Sequence, residues 1–317
     1  MTGQFQDDPG GDTSLALDRQ FLHPRYWGTW VVIGLLRLTS LLPYAGRVFV
    51  GRIFGDGMFW LMGRRKHIAR VNLRLCFPES SEAERARVVR DHFRSLGVAF
   101  IEMGAAWWVS DKRLEGLLEV DGLEHLTAAL EQGRGAILLS AHFTCLEMAL
   151  RLFCGVMTGY AIYRPQNNLL LDRIIKRART RQSGQMFSRG DVRSMLGALK
   201  ENKAVWYPPD QDYGRRHSVF VDFFGQPAAT ITTTSWFARL SGAPVIPFYF
   251  HRLPAYRGYK VVLRPPLGDF PSGDDVRDAR TVNAVLESEV LKCVDQYLWV
   301  HRRFKTRPND AENIYAS

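Results

Sequence analysis

In the stretch "ILLSAHFTCLEMAL" (137–150), an imidazole, His142, and a carboxylate, Glu147, stand five residues apart. They fall where four apolar residues suited to a buried strand give way to an amphipathic helix. Five residues along one regular helix turn a side chain by roughly 500°, about 140° off its starting direction. Inside a single helix the two groups would point apart. The spacing makes sense if His142 lies in the turn after the strand and Glu147 in the first turns of the helix, reaching back to one ring nitrogen. Such a contact fixes the tautomer and leaves the other nitrogen as a proton acceptor. This is the base and orienter of a triad without its nucleophile. The partial positive charge of the helix N-terminus favours a neutral imidazole before reaction. The chain carries no G-x-S-x-G elbow, G-x-G-x-x-G fingerprint or P-loop. A histidine base without a protein nucleophile suits direct attack by a substrate hydroxyl or amine. A histidine beside an apolar strand is also a common structural hydrogen-bonding residue, so the surrounding elements decide.

Two more groups follow predicted strands. Arg164 in "YRPQNN" can meet a phosphate or the oxyanion of a tetrahedral intermediate. Asp210 in "WYPPDQDYG" can orient Arg164 or bind substrate, although an Asx turn explains it equally well. Tyr163, Asn167 and Gln211 flank these as substrate-binding candidates. The pair Phe223 and Phe224 can line a hydrocarbon tunnel or fill the core. Arg173, Lys176, Arg177, Arg179 and Arg181 form a basic cluster, and "HRRFKTRP" (301–308) a second. Each is a binding face or a solvated helix surface.

Elements able to position these groups are legible from the pattern. "PESSEAERARVVRDHFRSLGVAFIEMGAAWW" reads as one long helix, with a capping box at Ser81 and Glu84 and apolar residues at Val88, Phe93, Leu96, Phe100 and Met103. Residues 46–75 also read as helical, with a break at Pro78. Beyond about residue 110 the texture alternates. "LLEVDG", "GAILLSA", "YAIYRP", "AVWYPPD", "APVIPFYF" and "GYKVVLR" read as strands. Between and after them "LEHLTAALEQG", "CLEMALRLFCGV", "LLLDRIIKRARTR", "VRSMLGALKEN", "TTTSWFARLSG" and 276–299 read as helices. Such alternation predicts an α/β fold, a mainly parallel central sheet flanked by helices, with a helical, membrane-associated N-terminal region. Open sheets of this kind place their sites at the carboxyl ends of the strands, where His142, Arg164 and Asp210 all fall. Four segments follow: a polar, disordered N-terminus (1–20), a helical membrane-associated region (21–110), a catalytic α/β region (111–308) and a C-terminal tail (309–317).

Of 317 residues, 46% are hydrophobic and 23% charged, which is globular and not a disordered composition. The formal net charge of +10 points to an anionic partner. Nucleic acid is the poor choice, because the aromatic residues lie mostly in apolar runs and do not interleave with basic ones. Four cysteines without a C-x-x-C pair argue against a disulfide framework or zinc site and for a reducing compartment. The first 20 residues are polar and acidic, unlike a secretory signal. "YWGTWVVIGLLRLTSLLPY" (26–44) has aromatic residues at both ends like an interfacial belt, but Arg37 interrupts it. It reads as a membrane anchor, spanning or lying in the interface, or as a buried helix. The basic tract "GRRKHIARVNLR" (63–74) suits an anionic leaflet.

The motifs taken together resemble a known family. "AHFTCLE" is similar to the His-x4-Asp/Glu motif of glycerolipid-type acyltransferases, and the chain from about 21 to 308 resembles the late acyltransferases of lipid A biosynthesis, of the lauroyl type. "FLHPRYWGTW", "ARVNLRLCFPE", "HFRSLG", "WYPPDQDYG", "VFVDFFGQPAATITTTSWFARLSGAPVIPF" and "QYLWVHRRFKTRP" carry the resemblance in order. Val294 departs from it where the family usually has proline, which touches local helix geometry only. The resemblance implies transfer of a fatty acyl chain from acyl-acyl carrier protein to a hydroxyl on an acyl chain of a lipid A precursor bearing Kdo sugars. It implies the cytoplasmic face of the bacterial inner membrane, no metal and no protein-bound cofactor. His142 is then the general base, Glu147 its orienter and Arg164 the oxyanion partner. The basic cluster at Arg173 and Arg177 meets the acidic carrier protein or lipid phosphate. A relative acting on another acceptor, such as a glycerophosphate, or another donor is the alternative.

Overall fold

Three helices come first: α1 (Trp27–Thr39), α2 (Tyr44–Leu61) and α3 (Gly63–Cys76). The capping box then opens α4 (Glu82–Trp108), with the Glu84 N–H donating to the Ser81 hydroxyl at 3.2 Å and the Ser81 N–H to the Glu84 carboxylate at 2.8 Å. This is a computed structural model, which describes residues 19–157, 160–163, 166–183, 186–188, 192–308 and 313–316. The apolar run at 26–44 is not one helix. Ser40 caps the C-terminus of α1, and Pro43 restarts the chain as the N-cap of α2. Thirteen residues of α1 rise about 20 Å, well short of the ~30 Å hydrocarbon core. No helix among the described residues is long and apolar enough to cross a membrane, which corrects the spanning alternative.

Glycines let α2 and α4 touch backbone to backbone. A Cβ on Gly97 would lie 2.2 Å from the Gly51 oxygen, and one on Gly55 would lie 2.3 Å from the Phe93 oxygen. No rotamer relieves a clash with backbone, so the helices would have to part. Gly97→Leu is expected to lower the unfolding free energy by more than ~2 kcal/mol, read as a shifted urea midpoint. An unchanged midpoint would mean that the crossing is looser than these distances state.

After α5 (Asp111–Leu114) the chain alternates as its pattern predicts. β1 (Leu118–Asp121), α6 (Leu123–Leu130), β2 (Ala136–Leu139), α7 (Leu146–Phe153), β3 (Tyr160–Tyr163), α8 (Leu169–Ser183), β4 (Met186–Ser188), α9 (Val192–Lys200) and β5 (Ala204–Tyr207) lead to a hairpin of β6 (Ser218–Phe223) and β7 (Gln226–Ile231). Next come α10 (Thr233–Ser241), β8 (Val245–Arg252), β9 (Tyr259–Leu263) and α11 (Asp275–Val290). The final helix therefore stops short of 299. Seven strands form the central sheet in the order β1-β9-β8-β2-β5-β3-β4, and every neighbouring pair is parallel except β8 with β9. All four residues of β2 and of β5 are buried, as expected for central parallel strands covered on both faces. One hydrophobic core runs from Leu36 and Phe93 of the helical region to Trp299 and Phe304, so the helices and the sheet share it.

Strand β4 and the β6–β7 hairpin have no counterpart in the sequence reading. The hairpin turns on Phe224 and Gly225, with φ of 51° and 69°. Two central residues of positive φ are what a two-residue hairpin of matching twist requires. Near the C-terminus, residues 309–312 lie outside the description, but Tyr315 is buried. It donates to Asn72 Oδ1 at 2.5 Å and accepts from the Phe304 N–H at 3.0 Å, so this part of the tail is built into the core. Residues 1–18 also lie outside it.

A fully buried histidine sets a pH dependence. Burial pushes the His92 ring down to about 4, against the raising effect of the Asp295 carbonyl at its Nδ1. The unfolded chain takes up this proton near pH 6.5 and the folded chain only near 4. Stability is therefore full above about 6.5 and falls as pH drops through that window, by on the order of 3 kcal/mol for a shift of this size. Urea titrations at pH 7.5 and 5 should show the loss, and His92→Gln should reduce it. An equal loss in both proteins would assign the effect elsewhere.

Candidate active site

β2 and β5 lie side by side and parallel, with Leu139 opposite Tyr207. Past their carboxyl ends the chain places His142, three residues on, and Asp210, likewise three residues on. His142 sits in the turn between β2 and α7, and Glu147 in the first turn of α7, as the spacing requires. The partner of the imidazole differs from expectation. His142 Nδ1 lies 2.7 Å from Asp210 Oδ1, and the His142 backbone N–H donates to Asp210 Oδ2 at 3.0 Å. Glu147 bonds elsewhere, so the orienter is Asp210.

Asp210 is 2% exposed. Burial alone would raise its carboxyl, but the His142 charge and the two hydrogen bonds hold it below its ordinary value. An ionised carboxylate only accepts, so Nδ1 carries the hydrogen and Nε2 is left as the basic nitrogen. The His142 side chain is 22% exposed and its ring stands edge-on to Trp206, with centroids 6.0 Å apart. Burial, with a smaller part from the Asp210 charge, pushes the Tyr297 phenol well above its ordinary value, so it remains a neutral donor beside the carboxylate. His301 also lies close. Burial pushes its ring down to about 4, and its Nε2 accepts from the Asp212 N–H at 3.2 Å. A neutral His301 does not compete with His142 for the Asp210 charge.

Glu147 makes a second pair. Its Oε1 accepts from Trp107 Nε1 at 3.1 Å and from Arg179 Nε at 3.1 Å, and its Oε2 accepts from Arg179 Nη2. The fork fixes both oxygens against the guanidinium of α8 and the indole of α4, which is why the carboxylate does not turn back to the ring. In the sequence Arg179 stands out only as a member of the basic cluster. A signal was present, because Asp172 and Ile175, seven and four residues before it, are on the buried stripe of α8.

The remaining candidates scatter. Arg164 lies outside the described residues, as do the side chains of Tyr163, which ends β3, and Arg181. Asn167 is exposed just before α8, and Gln211, half-buried, follows Asp210. The pairing of Asp210 with Arg164, like Arg164 itself, lies outside the described residues. Asp212 has a structural role, accepting from the Gly214 and Thr306 N–H groups at 2.9 and 2.8 Å. Phe223 is fully buried within 6.0 Å of the Tyr297 ring and 5.0 Å of Phe224, and Phe224 stacks obliquely on Phe77 and Trp299. Of the two readings open for this pair, the contacts are those of core aromatics, Phe223 buried and Phe224 half-buried against the core. Thr230 from the threonine run is buried too, accepting from Arg303 at 2.9 Å. On α8, Arg173 is exposed over the Phe21 ring, Lys176 is exposed and pairs with Asp172, and Arg177 is half-buried.

This arrangement can take a proton at His142 Nε2 and hold a cation and an indole against a carboxylate one helical turn away. Comparison with known proteins gives the family. The family model described as bacterial lipid A biosynthesis acyltransferase matches residues 16–306. The chain is 41% identical over 298 residues to the lipid A biosynthesis palmitoleoyltransferase of Escherichia coli (strain K12), covering 94% of this chain and 97% of that protein. It is also 41% identical over 295 residues to the lipid A biosynthesis lauroyltransferase of the same organism, covering 93% and 96%. Identity to that organism's myristoyltransferase of lipid A biosynthesis is 29% over 298 residues, covering 92% and 90%. With the family model spanning nearly the whole chain, this protein belongs to the bacterial lipid A biosynthesis acyltransferases.

Proposed function

We propose that this acyltransferase moves a fatty acyl chain from acyl-acyl carrier protein to a hydroxyl on an acyl chain of a Kdo-modified lipid A precursor, at the cytoplasmic face of the inner membrane. The observation that carries the reading is the His142–Asp210 pair, a base oriented through Nδ1 with Nε2 available to substrate. Nε2 takes the acceptor hydroxyl proton as the oxygen attacks the thioester carbonyl. The tetrahedral intermediate expels the thiolate, which takes the proton back from the imidazolium. The products are an ester and a free thiol, and His142 is regenerated without an acyl-enzyme or a cofactor. Arg179 and Arg164 are the cations proposed to steady the oxyanion or the acceptor's phosphate.

The membrane part of the proposal rests on the first two helices. Trp27, Val31, Leu35 and Leu38 are exposed on one face of α1, and Phe49, Ile53, Trp60 and Leu61 are exposed on α2. Exposed cations Arg64, Arg65, Arg70 and Arg74 follow on α3. Apolar side chains backed by cations suit helices lying in the interface of an anionic leaflet. The carrier protein, being acidic, suits the basic stretch of α8 around Arg173 and Arg177.

The test is transfer from acyl-acyl carrier protein to the Kdo-modified precursor in anionic vesicles, read by mass spectrometry. The expected result is one added acyl group whose mass reports the chain length, which differs between the two 41% identical relatives. Transfer to glycerol phosphate but not to the lipid A precursor would overturn the acceptor assignment.

A further inference from the structure

The turn that carries His142 is also held from behind. The Leu298 N–H donates to the His142 carbonyl at 3.0 Å, the Thr144 N–H donates to the Gln296 carbonyl at 2.8 Å, and Phe143 bridges Tyr297. Gln296 in turn is locked to β8. Its Oε1 accepts from the Arg252 N–H at 2.8 Å and its Nε2 donates to the Arg252 carbonyl at 2.9 Å. The Arg252 side chain runs to the same turn by a second route. Its Nη1 donates to Ser95 Oγ at 2.9 Å, and Ser95 Oγ lies 2.7 Å from Thr144 Oγ1. A guanidinium has no acceptor, so Ser95 accepts from Arg252, and one further hydrogen bond joins the Ser95 and Thr144 hydroxyls. The rest of the guanidinium is taken by Glu102 of α4, with Nε to Oε1 at 3.0 Å and Nη2 to Oε2 at 2.6 Å. Tyr259 donates to the same carboxylate.

Side-chain exposure of Arg252 and Glu102 is 9% and 1%. Desolvation of so buried a pair roughly cancels its Coulombic gain, so stability alone is a weak reason for it. What the pair does supply is geometry. A bidentate fork leaves the arginine one orientation, and Nη1, outside that fork, donates to Ser95, whose hydroxyl meets Thr144, the residue two after His142. A cavity of about 950 Å³ runs along this network, lined by Ser95, Arg252 and Gln296 but not by His142 or Asp210. The network therefore forms the back wall of the turn, with open space behind it in place of packed core.

We propose that Arg252, acting through Ser95 and Gln296, is a positioning residue that sets the Phe143–Thr144 backbone and with it the aim of the His142 ring. The proposal rests on His142 being the base. A base displaced by about 1 Å loses on the order of 10²-fold in rate while substrate binding elsewhere is kept. Removing Arg252 alone would strand Glu102, so the decisive variants cut the far end of the chain. Thr144→Val keeps the shape and removes the hydroxyl. In the purified full-length enzyme it is expected to lower kcat about 10- to 100-fold, with KM for both substrates within about twofold and an unchanged melting temperature. Thr144→Ser restores most of the rate, and Ser95→Ala combined with Thr144→Val is no slower than Thr144→Val alone, because both cut one connection. Wild-type kcat in Thr144→Val overturns the proposal, as does a loss carried by KM or independent losses that multiply in the double variant. His142→Ala run alongside separates the two readings. If it keeps wild-type turnover, the base assignment has failed, whatever Thr144 does.

Discussion

His142→Ala is expected to lower kcat for acyl transfer by at least ~10³-fold while the protein stays folded, because no other described group presents a basic nitrogen held by Asp210. Asp210→Asn tests the same pair more sharply. From His142 Asp210 accepts two hydrogens, one from the ring and one from the backbone N–H. Asparagine offers one oxygen and one NH2, so in either amide orientation one of the two donors meets another donor. The ring is then driven toward the tautomer with its hydrogen on Nε2, where it cannot act as base. A loss of on the order of 10²- to 10⁴-fold is expected, and the double variant should be no slower than His142→Ala, since the two residues act as a unit. Rates measured by transfer of labelled acyl chain, with circular dichroism as a check on folding, decide it. Losses that multiply would mean that Asp210 acts on substrate independently of His142.

The second large effect is expected at Glu147. Its carboxylate collects the Arg179 fork and the Trp107 indole and touches neither nitrogen of His142 in the described contacts. Glu147→Ala frees a partly buried guanidinium, so turnover is expected to fall about 10²-fold through misplacement of Arg179. Arg179→Ala should match or exceed that fall. The exchange Glu147→Arg with Arg179→Glu keeps opposite charges in contact but moves the cation to α7. If the pair serves only to join α7 to α8, the exchange should recover most of the activity. If the cation must sit on α8 facing substrate, stability recovers and turnover does not. Glu147→Gln should leave the shape of the pH–rate profile unchanged, because Asp210 is the carboxylate that holds the ring.

The contrast between these two residues shows where the sequence was readable. The His-x4-Glu spacing correctly put His142 in a strand-to-helix turn and Glu147 at the head of α7, because both facts are local and follow from the change of period from two to 3.6. Which carboxylate meets the ring depends on β2 lying against β5. Two strands and three helices intervene between them in the chain, and Asp210 is 68 residues from His142. Motif spacing holds no information about that adjacency. The long helix α4 was legible down to its capping box for the same local reason. The β6–β7 hairpin was not, because Phe224 occupies a positive-φ position where Asn or Gly is the usual signal. The Glu287 carboxylate, 63 residues away, accepts its N–H at 2.8 Å. Phe223 and Phe224 stayed ambiguous for a related reason, since an aromatic pair looks alike in sequence whether it lines a tunnel or fills a core. The Arg179–Glu147 fork was half-visible, as a cation in phase with the buried stripe of α8.

Direct transfer, with the lipid hydroxyl as nucleophile and His142 as its base, is tested most plainly by the intact mass of the enzyme during turnover. The protein is mixed with acyl-acyl carrier protein alone, then with the lipid acceptor as well, quenched in acid within one turnover, and weighed. With the donor alone the mass should remain that of the unmodified chain, and with both substrates the acyl group should be found only on the lipid. A chain heavier by one acyl group, formed with the donor alone and discharged when acceptor is added, would show a protein nucleophile and contradict the His142–Asp210 mechanism.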